Sequence, residues 1–371
     1  MNTPDRLRGI SERALQLTTS RRNLPPALYA TGAALSAACQ DQPQPRALSQ
    51  NEPNPQTPLT WESWQQMSAS ERLNIIQNKS LRPSAYQELP SMEPLRELAQ
   101  AVAQVYCQEI DCVKSPEQLA QSVFFLNGKE FSTQYNREII ESGGSPLEQG
   151  KQKFFYAITT NDKRRILINT ELIDAEVENL RDKNPILPPK LATIDLRTIF
   201  YKSTLIHEFT HADTPDFIYP VEPYQVLLPN GPATIDHLQG FTLVGKDSSG
   251  KTIYINGSNE AITEAISTYA GSADGSIYLS LGYRFGSAAD MIIELCEIAG
   301  VSRKDLKNIR TEHDLDQLLS KWGSIKNSGN PDKKAALRAL TAIGIFVNGI
   351  ITYEQAQAII YRALFDKEFN P

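Results

Sequence analysis

The five residues His207-Glu208-Phe209-Thr210-His211 constrain this chain more than any other stretch. They read H-E-x-x-H. In a helix, side chains at i and i+4 sit one above the other, so His207 and His211 can aim imidazole nitrogens at a single ion. Glu208 lies about 100° further round the helix. From there it can reach a water at the metal without being a ligand itself. The competing reading is a buried helix whose two histidines are satisfied by core partners. The chain has only four histidines, so this pairing commits half of them to one helical face.

Composition narrows the partners. The chain's 371 residues, 40% hydrophobic and 22% charged, are those of a soluble globular protein with one large domain or two smaller ones. A net charge of −6, a pI near 5.5 and no run of Lys or Arg argue against a nucleic-acid surface. Gly282-Tyr283-Arg284-Phe285-Gly286 reads as a turn, because no strand–helix unit surrounds it to make a nucleotide fingerprint.

The chain divides by composition. Residues 1–39 carry Arg13, Arg21 and Arg22, then a weakly polar Ala/Leu/Gly run ending in Ser36-Ala37-Ala38-Cys39. A basic leader, a short apolar stretch and small residues before a cysteine are how an export signal is built. Ser36 to Cys39 also resembles a lipoprotein box, which implies a lipid at Cys39. Residues 40–60 hold prolines at 43, 45, 53, 55 and 58 among polar residues, the composition of an extended tether.

Residues 61–215 read as an N-terminal lobe. Helix is expected from Ser68 through Ile76 and from Met92 to Tyr106, and strands over Val123–Asn127 and Lys153–Thr170, the latter a hairpin with Phe154–Thr160 and Arg165–Asn169 on either side of Asn161-Asp162. Lys183 to Lys190 is a proline-rich loop, and the motif helix runs from about Asp195 to His211. Cys107 and Cys112 can form a local disulfide if the protein is exported, or remain two half-buried thiols. Residues 216–257 read as mostly loop with one hairpin insertion, Phe241–Val244 against Thr252–Ile255. From 258 to 371 the pattern is helical throughout. The fold class expected is therefore α+β and mostly helical.

A catalytic metal of this kind takes a third protein ligand and keeps one position for water. Asn259-Glu260-Ala261-Ile262-Thr263-Glu264 follows the H-E-x-x-H in the right order and in helical context. Together the two segments resemble the gluzincin, or thermolysin-like, zinc metallopeptidases. The resemblance covers about a quarter of the chain, and the 48 residues between His211 and Glu260 make a longer gap than that group has. It implies a two-lobed fold, with a small mixed or antiparallel sheet before the active-site helix and a helical C-terminal lobe. It further implies one Zn2+ held by His207, His211 and Glu260, with Glu208 as general base. Glu264 falls where the group places an acidic residue against the first histidine.

The substrate implied is a peptide or protein. The strand Arg165–Asn169 is expected to pair with it by edge addition. A further donor to the oxyanion is sought among His237, Tyr278 and Tyr283, each of which follows the motif helix. His313, flanked by Glu312 and Asp314, reads as a solvated surface residue. Two other functions stay open: a cell-envelope binding protein that keeps the fold without turnover, and a zinc hydrolase acting on a non-peptide amide or ester.

Overall fold

In a computed structural model the described residues are 93–141, 156–160, 162–183, 196–214, 216–272, 278–280, 283–326 and 330–365. The export signal, the tether, the helix expected from Ser68 through Ile76 and residues 184–190 of the proline-rich loop lie outside them. Among the described residues, no helix is long and apolar enough to cross a membrane.

Helix α1 (Glu93–Glu109) forms where Leu95, Ala99, Val102, Ala103 and Tyr106 recur at helical spacing, and all five are buried. After it, Cys107 and Cys112 are joined in a disulfide. Helix α2 (Pro116–Gln121) starts at a capping box in which Ser115 and Gln118 satisfy each other's backbone amides. Strand β1 (Val123–Leu126), helix α3 (Gly128–Glu141), strands β2 (Ala157–Thr159) and β3 (Ile166–Asn169) and helix α4 (Thr170–Lys183) complete the first part.

These strands form one sheet in the order β1-β3-β2, with β1 parallel and β2 antiparallel to β3. Strand β3 is buried along its whole length, as a central strand covered on both faces must be. This corrects the expectation that Arg165–Asn169 pairs with a substrate. Its hydrogen-bonding sides are taken by β1 and β2, which form the sheet's two edges.

The motif lies on α5 (Leu196–Asp213). Beyond it the chain departs most from the sequence reading. In place of a loop with one hairpin stands a four-stranded antiparallel sheet, in the order β4 (Ile218–Leu228), β5 (Gly231–Gln239), β6 (Thr242–Asp247) and β7 (Thr252–Ile255). Pro220 and Pro223 disguise β4, because proline cannot donate to a ladder. The strand tolerates them because it is at the sheet's edge and its register shifts between Pro220 and Tyr224. Ile235, Leu238, Leu243 and Ile255 face the core from this sheet.

The rest is helical: α6 (Gly257–Gly271), α7 (Tyr283–Ile298), α8 (Arg303–Lys307), α9 (Glu312–Gly323), α10 (Lys333–Val347) and α11 (Tyr353–Phe365). Helix α6 is buried on nearly every side, the mark of a helix at the centre of a bundle. Gly257 makes its crossing with α10 possible: a Cβ there would overlap the carbonyl oxygen of Gly344. His313 is exposed at the start of α9, as expected. The fold is thus α+β and mostly helical.

Candidate metal centre

Helices α5 and α6 lie side by side, and their small polar residues let them approach closely. Thr210 Oγ1 and Ser267 Oγ are 3.0 Å apart across the contact. One turn earlier on each helix, His207 faces Glu264. The same register carries Glu260 to the open end of the contact, opposite both motif histidines.

There, three atoms from two helices converge. His207 Nε2 and His211 Nε2 are 3.1 Å apart, and Glu260 Oε2 lies 3.3 Å from the first and 3.2 Å from the second. The triangle is nearly equilateral. Bonds of about 2.0–2.1 Å at tetrahedral angles place donor atoms roughly 3.3–3.4 Å apart, so this set fits a small divalent ion with one face left open. His207, His211 and Glu260 form a group able to hold a metal ion.

The outward nitrogens confirm the orientation of the rings. His207 Nδ1 donates to Glu264 Oε2 at 2.7 Å, and the same oxygen accepts from Tyr278 Oη at 2.9 Å. Glu264 is completely buried. His211 Nδ1 lies 3.3 Å from Thr263 Oγ1, a hydroxyl able to accept from it, and 3.4 Å from Asn259 Nδ2, which is a donor and cannot. With Nδ1 carrying the proton on each ring, both Nε2 atoms present lone pairs to one point. Two lone pairs facing each other at that distance repel unless a cation sits between them.

Charge follows the same geometry. Burial works against a charged His207, but the carboxylates of Glu260 and Glu264 outweigh it and push its pKa up to about 10. Burial also opposes ionisation of Glu260, and His211 and His207 overcome it, holding the carboxyl well below its usual range. Without a metal the cluster therefore keeps a proton among these groups, and a cation takes that proton's place.

Glu208 is buried beside the triad and is not one of its ligands. Its Oε2 accepts from Thr159 Oγ1 at 2.7 Å. Burial raises its pKa, against the opposing pull of His211, His207 and the Thr159 hydroxyl.

Thr159, His207, Glu208, His211 and Glu260 open onto one cleft of about 410 Å³. One wall is β2, from Tyr156 to Thr160. The other is the second sheet, through Gln239, Thr242 and Tyr254. At the end of the β2–β3 turn, Lys163 takes a left-handed backbone (φ 54°) and its Nζ donates to Asp216 at 2.6 Å.

The edge of β2 faces this cleft. Thr160 N donates to Arg165 O, and Asn169 N donates to Tyr156 O. In an antiparallel ladder these directions alternate, so Ala157 and Thr159 turn their main-chain N–H and C=O away from β3. Among the described strands, none pairs with that edge.

Of the residues considered as oxyanion donors, Tyr278 and His237 do not lie over the triad. Tyr278 is behind it, bonded to Glu264. His237 is on β5 with Nδ1 held by Asp236. It shares a sheet face with Tyr254 through the aligned pairs His237–Val244 and Val244–Tyr254. Two strand spacings, about 10 Å, still separate it from Tyr254, and it does not line the cleft. Tyr283 opens α7, and its side chain lies outside the described residues.

Thr159 and Tyr254 are among the cleft residues that the sequence reading did not single out. Both sit in ordinary strand patterns, and nothing local to either signals a neighbour on α5 or a place in the cleft. No protein-family model, curated protein or solved structure matches the chain.

Proposed function

We propose that the protein is a zinc-dependent metallopeptidase of gluzincin type, with His207, His211 and Glu260 as metal ligands and Glu208 as general base. The observation that carries this is the donor triangle from α5 and α6, with a buried carboxylate beside it that is not a ligand. Two nitrogens and one oxygen suit zinc among the common divalent ions. When bound, zinc supplies a Lewis acid and brings a water's pKa toward neutrality.

The protein's own groups do the rest. Burial leaves Glu208 a stronger base than a solvated carboxylate. It removes a proton from the attacking water as that oxygen bonds to the peptide carbonyl carbon. It then delivers the proton to the amine nitrogen as the C–N bond breaks. Glu264 fixes the tautomer of His207, and Tyr278 fixes Glu264. The outward main-chain groups of Ala157 and Thr159 offer an extended peptide a strand to pair with.

In this reading the fold is two-lobed. A lobe built on the β1-β3-β2 sheet ends in α5, a helical lobe begins with α6, and the substrate lies between them. The protein works outside the cytoplasm, exported and tethered by a lipid on Cys39. The Cys107–Cys112 disulfide supports that compartment, since such bonds persist where conditions are oxidising.

Glu208→Gln tests the proposal. The variant should keep one zinc per chain and lose hydrolysis of an unfolded protein substrate. Undiminished turnover would rule out the base, and absence of turnover in the wild-type zinc protein would rule out the peptidase.

A further inference from the structure

We infer that Thr159 is the positioning residue for Glu208, with its side chain on the base and its main chain on the substrate; this rests on the reading of Glu208 as general base. The side-chain half is direct. Thr159 Oγ1 is 2.7 Å from Glu208 Oε2 and 3.1 Å from the Glu208 main-chain oxygen. A hydroxyl has one proton to give, and the carboxylate makes the stronger, charge-assisted acceptor. The donor itself is stiff, because a β-branched side chain in a strand has few χ1 choices.

The consequence lies in what else the residue touches. Glu208 is held at its α-carbon by α5 and at its carboxylate by β2, so the base cannot swing towards His207 or His211 when the cleft is empty. The same residue turns its N–H and C=O to the open edge of the sheet. A peptide paired there would be indexed to the atom that holds the base. One residue thus sets the distance between the carboxylate and the bond to be cut, and small misplacements of such groups cost large factors in rate. A serine at this position keeps the proton and loses the stiffness. A valine keeps the shape and loses the proton.

The test uses the full-length zinc-loaded protein and fluorescein-labelled casein as the substrate. Thr159→Val should lower kcat by about 10²-fold, leave KM and zinc stoichiometry near wild type, and be largely rescued in Thr159→Ser. A valine variant with wild-type kcat overturns the inference, as does a serine variant as slow as valine. The second readout needs no turnover. Melting temperatures of zinc-free wild type, Thr159→Val, Glu208→Ala and the double variant form a cycle in which each single change removes the bond. The two changes should be non-additive if the side chains are bonded, and additive shifts overturn the inference. A wild-type protein that takes up zinc and cleaves no casein overturns the peptidase reading, and with it the role of Thr159 in rate. The melting cycle still decides whether the bond to Glu208 exists.

Discussion

Glu264 Oε2 lies 2.7 Å from Nδ1 of His207, a completely buried carboxylate behind an imidazole whose other side opens onto the cleft. That single bond decides which nitrogen of His207 faces the cleft. It also places a negative charge where it raises the basicity of the metal-facing nitrogen.

Glu264→Gln should therefore weaken zinc binding by about 10- to 100-fold while leaving the ligand count unchanged. Competition with a chromogenic chelator measures it. An affinity equal to wild type would mean that Glu264 is a core group with no part in holding the ring.

The disulfide is predicted to stabilise the end of the motif helix. The loop it closes is short, with a sequence separation of 5, and loop-closure entropy gives such a cross-link about 2 kcal/mol. Just past it, the amides of Val113 and Lys114 both donate to Asp213 Oδ1 at 2.9 Å, at the last residue of α5. A Cys107→Ser, Cys112→Ser double variant should unfold at a lower urea concentration than wild type. An unchanged midpoint would show that the clasp on Asp213 forms without the bond.

Acid should loosen the second sheet from the helices. Asp316 on α9 accepts from Lys333 Nζ and from Tyr219 Oη of β4, each at 2.6 Å. The Lys333 and Tyr219 bonds hold its pKa below the usual carboxylate value. A carboxylate whose pKa is depressed by folding contributes stability above its unfolded pKa of about 3.9. That contribution falls away as pH drops through the lower, folded value. Asp316→Asn should lower the melting temperature at pH 7 and reduce the difference from wild type below pH 4. A gap that stays constant across that range would contradict the assignment.

What could be read from the sequence follows from how local each signal is. H-E-x-x-H and N-E-A-I-T-E are spacings within single helices; that the two helices meet is what the gluzincin resemblance implies, and the structure brings His207, His211, Glu260 and Glu264 within reach of one another. The hairpin at β2 and β3 was equally legible, as two strand-forming runs around a turn. Which of the two strands lies at the edge was not, because β1 enters the sheet from far earlier in the chain. Strand β4 was hidden by Pro220 and Pro223, which an edge strand with a shifted register can hold. Thr159 is a threonine in a short strand, and its bond to Glu208 spans 49 positions. No spacing rule covers such a pair.

Metal content tests the central claim most directly. Purified wild-type protein, exposed to zinc and dialysed, should retain one ion per chain by elemental analysis, and Glu260→Ala, with its fold intact by circular dichroism, should retain far less. A wild-type protein that retains none, or a Glu260→Ala variant that retains as much as wild type, would contradict a centre made by α5 and α6 together.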